Sequence, residues 1–128
     1  MNVKRLERGW AGHFILSRRC MFRRNTLLTK GSTKIIVSTV GSMLSEDKKK
    51  MEEIGYDRNY ETMVFYSSYD KYDDSDVSRE ITDFKSNWAL SELDDIKAND
   101  MHETVVNEIA NNLENGIYET KEALSECG

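Results

Sequence analysis

The sequence contains no proline, only two cysteines and no long apolar run. Cys20 and Cys127 form no CxxC pair, which argues against a disulfide framework and a structural zinc site, so we expect two free thiols. The longest apolar stretch near the N-terminus, Phe14-Ile15-Leu16, is far shorter than the ~20 residues of a membrane span and too short for a signal-peptide core. We therefore expect a soluble, cytoplasmic protein with no membrane partner.

The length and the distribution of charge narrow the classes of protein further. At 128 residues the chain can build one core, so we expect a single domain over residues 1–128, strand-rich from 10 to 84 and helical from 90 to 126. The net charge of −5 conceals an uneven distribution. Residues 1–34 carry nine bases and one acid, whereas residues 51–128 carry six bases and twenty acids. The two parts either present surfaces of opposite charge or pack together and neutralise each other.

β-Branched and aromatic residues, interrupted at glycines, predict strands in the first two thirds of the chain. The strongest signal, Ile35-Ile36-Val37, lies in a run with apolar residues on both faces, which predicts a central strand in a hairpin with the run before it. Ser45–Glu53 predicts a short solvated helix or an ordered loop. The predicted strands are Trp10–Leu16, Cys20–Leu28, Lys34–Val40, Tyr60–Ser68 and Val77–Phe84.

From residue 90 onward the pattern is helical. One apolar stripe recurs every four residues, namely Met101, Val105, Ile109 and Leu113. Asp100 suits the N-terminal cap and Gly116 the C-terminal cap, so we predict a helix from about 101 to 115, with residues 118–126 adding a further turn or two. Strands followed by a helix indicate an α+β fold, an antiparallel sheet of four to five strands packed against a C-terminal amphipathic helix.

Four arginines are concentrated within seven residues: Arg18, Arg19, Arg23 and Arg24. Guanidinium groups bind phosphate in a bidentate way, and Phe22 among them offers a ring on which a nucleobase can stack. On a strand, however, Arg23 and Arg24 point to opposite faces, so the four form one patch only if a bulge or turn intervenes. The cluster predicts either a phosphate-binding hairpin or ion pairs with the acidic part of the chain.

An acidic, turn-rich stretch predicts an exposed loop with four carboxylates: Asp70, Asp73, Asp74 and Asp76. An EF-hand register starting at Asp74 is rejected, because Arg79 stands where the loop needs glycine and Lys85 where it needs the bidentate acid. Tyr69 and Tyr72 beside the carboxylates suit a protein interface. Further carboxylates follow along the chain, namely Glu80, Asp83, Glu92, Asp94 and Asp95. Such a row predicts either a surface that attracts the basic groove of a nucleic-acid-binding protein or a solvated acidic face.

Patterns that carry catalysis are missing from the sequence. No Ser or Cys is tied to His13 or His102, the two histidines, by a recognisable nucleophile motif. There is no glycine-rich phosphate loop, no HExxH and no spaced Cys/His set for a metal. Cys20 would have a lowered pKa beside the arginines if it were exposed, so one hypothesis is an enzyme built around His13, Cys20 and the Arg24-Asn25 pair. We expect instead a protein that is not an enzyme and that needs no cofactor and no metal.

Four sequence strings resemble a known group of proteins: RGWAGHF at 8–14, FRRNTLL at 22–28, VSTVG at 37–41 and YETM at 60–63. They resemble a family of short uncharacterised proteins encoded on bacterial phages, plasmids and integrative elements, over most of the chain from about residue 5 to about 115. The resemblance implies no catalytic residues. It implies a setting in which small accessory proteins inhibit host defence, as anti-CRISPR and anti-restriction proteins do.

The residues and the resemblance together lead to one functional expectation and one alternative. We expect a non-enzymatic inhibitor of a host defence nuclease that acts in the bacterial cytoplasm and binds its nucleic-acid-binding partner protein through the acidic surface. The alternative is a small nucleic-acid-binding or regulatory module that uses the arginine-rich hairpin. The sequence leaves the oligomeric state open.

Overall fold

The computed structural model describes residues 2–9, 13, 17–69 and 75–118. It contains an antiparallel sheet packed against one C-terminal helix, so the predicted α+β fold is confirmed. A single 3-10 turn over Ser17–Arg19 precedes the second strand. The strands are β1 (Lys4–Glu7), β2 (Cys20–Lys30), β3 (Thr33–Leu44), β4 (Met51–Glu52), β5 (Tyr60–Tyr69), β6 (Ser75–Ile81) and β7 (Ala89–Leu90), and the helix is α1 (Asp95–Glu114).

The sheet is a meander in the order β1-β2-β3-β5-β6. The two-residue strands β4 and β7 pair with β3 and β5, so seven strands are present where four to five were expected. The sequence did not predict β1, because Lys4-Arg5-Leu6-Glu7 is exposed throughout and has a single apolar residue. Its pairing with β2 places it in the sheet.

Of two further predictions over the first half of the chain, the structure decides one and leaves the other untested. Ser45–Glu53 is not a helix, since it forms turns that lead into β4, so the loop alternative is correct. The predicted strand Trp10–Leu16 lies outside the described residues except for His13, which is not in a strand.

The central strand β3 divides the buried residues between the two faces of the sheet. It pairs with β2 and β5, which confirms its predicted central position. Ile35, Val37 and Thr39 face the helix, and side-chain alternation places Ser38 and Val40 on the opposite face. The core between the sheet and α1 contains Leu28, Ile35, Val37, Val64, Tyr66 and Ile81 from the strands and Val105, Val106, Ile109 and Leu113 from the helix.

The close approach of β3 to β5 depends on Gly41. An ideal Cβ at this position would lie 2.3 Å from the Asn59 carbonyl oxygen and 2.7 Å from the Tyr60 Cα. Ser42, the next residue, has a φ of 56°, and its N–H donates to the same Asn59 carbonyl at 2.8 Å. The backbone here therefore has no room for a side chain at residue 41.

The helix begins six residues earlier than predicted. Asp94, not Asp100, is the N-cap, and its carboxylate accepts from the N–H groups of Ile96 and Lys97 at 3.0 and 3.1 Å. The C-terminal prediction is confirmed, because Gly116 has a φ of 80° and donates to the Leu113 carbonyl. This Schellman arrangement ends α1 at the predicted place.

Candidate functional site

The predicted acidic loop falls mostly outside the described part of the chain. Asp70, Tyr72, Asp73 and Asp74 are not described, while Tyr69 is the last residue of β5 and Asp76 lies in β6. The backbone pairs Tyr69 with Ser75. The acidic loop therefore connects β5 and β6, and its role in binding stays a prediction.

The four clustered arginines do not act as one patch. Arg24 extends toward the helix, where its guanidinium contacts Glu103 at 2.5 Å and Glu7 at 2.8 Å. Arg19 lies in the 3-10 turn and donates to Glu52 at 2.7 Å and to the Leu44 carbonyl at 2.8 Å. The predicted ion pairing of one or two arginines with the acidic part of the chain is thus confirmed.

Arg24 belongs to a ring of four alternating charges that joins β1, β2 and α1: Arg5, Glu7, Arg24 and Glu103. Arg5 contacts Glu103 at 2.5 Å and Glu7 at 2.7 Å, which closes the ring. Hydrogen bonds from Arg5 and Arg24 lower the pKa of Glu103 to about 2, against the opposing effect of burial. Burial also opposes ionisation of Glu7, but hydrogen bonds from Arg5, Thr26 and Arg24 outweigh it and hold its pKa below the usual range.

A buried hydrogen-bonded chain runs from this ring into the core through His102, which has no exposed surface. Thr26 Oγ1 lies 2.9 Å from both Glu7 oxygens and 2.7 Å from His102 Nε2. On the other side of the imidazole, Nδ1 lies 2.7 Å from Thr39 Oγ1, which contacts Thr62 Oγ1 at 2.6 Å. Burial, followed by the charge of Arg24, lowers the pKa of His102 to about 4, so the ring is neutral.

The carboxylate at one end sets the direction of every bond in this chain. An ionised Glu7 only accepts, so Thr26 donates to it and accepts from His102 Nε2–H. Nδ1 then accepts from Thr39, which accepts in turn from Thr62.

Glu7, His102 and Glu103 also bring ligand atoms within 4.8 Å of one another, which is the spacing of a metal site. Among the described residues, these atoms already have protein partners. His102 uses both nitrogens on threonine hydroxyls, and the two carboxylates are neutralised by Arg5 and Arg24. A divalent cation would have to displace two guanidiniums and break a buried hydrogen bond. The cluster is therefore a structural network.

The residues of the enzyme hypothesis do not share a cleft. His13 Nδ1 lies 3.0 Å from Ser38 Oγ and Nε2 lies 3.8 Å from Glu61, on the face of the sheet opposite Arg24. This serine, histidine and carboxylate resemble a triad, but Ser38 is fully buried in the middle of β3, where no substrate can reach it. Cys20 is also buried, and burial raises its pKa to about 11 in spite of nearby arginines. The lowered pKa expected for an exposed Cys20 does not occur.

A different surface combines charge with exposed apolar side chains. Residues 80–96, which we call the acidic edge, carry five carboxylates and one lysine. The acidic edge runs beside β5, where the Thr62 N–H donates to the Trp88 carbonyl at 2.7 Å. The apolar side chains exposed on it are those of Trp88 at 44%, Leu93 at 52% and Ile96 at 76%.

Contacts to β5 and α1 hold the acidic edge in place. Glu108 of α1 accepts from the backbone N–H groups of Lys85 and Ser86 at 2.7 and 2.8 Å. Near the helix start, the Tyr60 hydroxyl donates to Asp95 at 2.6 Å. Because these donors are uncharged, they do not neutralise the carboxylates they contact, and among the described residues one ion pair of the edge joins Glu92 to Lys97.

A cavity of about 320 Å³ lies at the start of the acidic edge, between β5 and residues 82–88. Its apolar wall contains Met63, Phe84 and Trp88, and Glu61 and Glu80 supply two carboxylates. Arg58 lies on a further wall, with its guanidinium 5.3 Å from the centre of the Trp88 ring. The cavity is of the size and composition of a small binding pocket.

No family model, curated protein or solved structure matches this chain. Within the described residues, no helix combines the length and the apolar character that crossing a membrane requires.

Sequence reasoning identified the carboxylates of the acidic edge but not its apolar members. The apolar face of α1 includes Met101 and Val105, and Ile96 does not lie on that face. An apolar residue away from the buried face of a helix is the signal that could have identified Ile96 as an exposed member of the acidic edge. Because the helix was predicted to start at about residue 101, Ile96 was not compared with the helix stripe, and its position off the stripe was not noticed.

Proposed function

We propose that this protein is a non-enzymatic binding protein that engages a basic protein surface through the acidic edge. The observation that carries the proposal is the interleaving of exposed Trp88, Leu93 and Ile96 with five carboxylates over residues 80–96. A face that serves solubility alone has no need of three large apolar side chains at this exposure.

The physical roles of the two kinds of residue differ. Large apolar side chains at the centre of an interface supply affinity when a partner excludes water from them. The surrounding carboxylates steer a positively charged partner and favour it over an acidic one. The combination suits a partner whose surface has evolved to bind phosphate.

The resemblance to proteins of mobile elements adds the setting to this proposal. The partner would be a nucleic-acid-binding nuclease of host defence, met in the cytoplasm of the bacterial host, and the protein would inhibit it by occupying its basic groove. The acidic loop at 70–76, which precedes most of β6 in the chain, would offer further carboxylates to the same partner.

The contacts of the arginines bear on the nucleic-acid-binding alternative. Arg24 directs its donors to Glu7, Glu103 and Asn99, and Arg19 directs its donors to Glu52 and Leu44. Phosphate would have to displace these partners. This supports a protein partner, and a gel-shift titration with DNA and RNA at low salt tests the alternative directly, since salt-dependent binding would favour it.

The experiment that tests the proposal is co-purification with CRISPR effectors and restriction nucleases, followed by kinetic binding measurements on any captured effector over a salt series. The Leu93→Ser/Ile96→Ser double variant is expected to weaken binding about tenfold or more through loss of apolar anchors. The Glu80→Gln/Asp83→Asn variant is expected to slow association and flatten the salt dependence.

Matched substitutions elsewhere serve as controls. Met21→Ser removes a side chain that is 66% exposed, and Glu53→Gln removes an exposed carboxylate outside the edge. Both are expected to leave binding unchanged. If these controls weaken binding as much as the variants in the edge, or if no basic effector is bound, the proposal is wrong.

A further inference from the structure

The cavity beside Trp88 has a chemical character that the rest of the acidic edge lacks. It is concave, with a volume of about 320 Å³, and it combines two aromatic walls with two carboxylates. Aromatic faces and carboxylates both attract cations, the first through the ring quadrupole and the second through charge. A guanidinium or an ammonium group on a flexible apolar stem matches both features.

The residues that line the cavity include two carboxylates and one guanidinium. Glu61 is held ionised, since the His13 ring and the charge of Arg58 keep its pKa below the usual range. Arg58 offsets one carboxylate and also covers Trp88, which shows that this ring accepts a guanidinium. The second carboxylate, Glu80, is exposed at the mouth.

The position of Arg58 beside the cavity depends on close packing against Gly55. An ideal Cβ at residue 55 would lie 2.3 Å from Arg58 Nη2, so only glycine leaves room for the guanidinium here.

We infer that this cavity receives an arginine or lysine side chain presented by the partner protein. The stem of the side chain lies against Met63, Phe84 and Trp88, and its cationic group lies at Glu80 and Glu61. The inference deepens the proposed function and rests on it for the identity of the partner. It gives the acidic edge a specific anchor point in addition to its general charge.

The cavity can be tested with small probes, without the partner. N-acetyl-argininamide and N-acetyl-lysinamide carry a cationic group at the end of an apolar stem, and N-acetyl-norleucinamide, which lacks the charge, is the neutral control. Each is titrated into the ¹⁵N-labelled full chain, following the Trp88 indole signal and the amides of residues 80–88 by NMR. The indole signal is assigned by its loss in Trp88→Phe. We expect saturable shifts for the cationic probes with dissociation constants on the order of millimolar, and none for norleucinamide.

Two variants locate the binding. Glu80→Gln is expected to weaken the cationic probes about fivefold, and Thr82→Phe at the rim is expected to block the cavity. Glu53→Gln is the control, and dispersed NMR spectra verify that each variant is folded. Equal shifts for the neutral and cationic probes, or unchanged affinity in Glu80→Gln and Thr82→Phe, would overturn the inference.

Failure of the inference and failure of the proposed function are distinguishable. If an effector binds through Leu93 and Ile96 but Thr82→Phe binds it equally well, the cavity inference is wrong and the proposed function stands. If the cationic probes bind in the cavity but no basic effector is bound, the cavity is a cation site and the proposed function is wrong.

Discussion

The neutral, buried His102 predicts that the protein loses stability at mildly acidic pH. In the folded chain the pKa of His102 is about 4, against an ordinary value of 6.5, because burial and Arg24 disfavour the imidazolium. Protonation would also remove the acceptor at Nδ1, on which the Thr39 hydroxyl depends. Between these two values the unfolded chain therefore binds a proton that the folded chain does not.

The sign and size of the change in unfolding free energy with pH follow from the difference in proton binding between the folded and the unfolded chain. Stability falls as the pH falls from 6.5 to 4, because protons then favour the unfolded state, and below pH 4 this contribution no longer changes. A pKa of about 4 in the folded chain against 6.5 in the unfolded chain corresponds to about 3 kcal/mol in total, of which about 2 kcal/mol appears by pH 5. Glu103 adds its own loss only below its ordinary pKa of 4.5, so between pH 7 and pH 5 the contribution of His102 is obtained by comparison with a variant that lacks this histidine.

The assay is urea unfolding at several pH values from 7 to 5, on the wild-type chain and on His102→Gln. The variant cannot titrate, so it should be less stable at pH 7 but should show a much flatter dependence on pH. NMR titration of the imidazole should show no protonation of His102 in the folded chain above pH 5. An imidazole that titrates near 6.5, or equal pH slopes for the two proteins, would refute the reasoning.

Three further predictions concern the helix cap, the close approach of β3 to β5 and the buried thiol. Asp94→Ala should cost about 1 kcal/mol in unfolding free energy through loss of the helix cap, whereas Asp100→Ala, inside the helix, should cost nothing measurable; the reverse result would restore the predicted cap. Gly41→Ala should destabilise the chain by about 2 kcal/mol or more in urea unfolding, because its Cβ meets backbone atoms of the neighbouring strand, and an unchanged midpoint would contradict that clash. Cys20, in a Cys127→Ser background, should react with a thiol reagent only at the rate of unfolding, since it is buried with a pKa of about 11, and fast labelling of the folded chain would contradict this.

Local sequence signals were sufficient for the parts of the fold that depend on neighbours along the chain. The run Ile35-Ile36-Val37 identified a central strand, since only a strand covered on both faces tolerates apolar residues in succession. The stripe at Met101 and Val105 identified the buried side of the helix, and Gly116 its end. The central strand, the buried side of the helix and the helix end could therefore be predicted without knowing which elements pack against them.

Tertiary structure decided what depends on residues distant in sequence. The helix begins at Asp95, where Tyr60 on β5 donates to the Asp95 carboxylate and Ala98 packs in a cluster with Tyr60. The sequence around the helix start holds no information about β5, which lies more than 20 residues earlier in the chain. The exposure of Leu93 and Ile96 follows from the same placement, so the apolar part of the candidate site could not be predicted.

The charge distribution shows the same division. The sequence determined that the basic residues lie near the N-terminus and the acidic residues near the C-terminus, but it left two outcomes, separate surfaces or mutual neutralisation. Both outcomes occur in the structure, in different places. Antiparallel pairing of β1 and β2 beneath α1 brings Arg5 and Arg24 to Glu7 and Glu103 and neutralises them, while the acidic edge lies beyond that ring and keeps its charge. Which charges meet depends on strand register and helix placement, and these are properties of the folded chain.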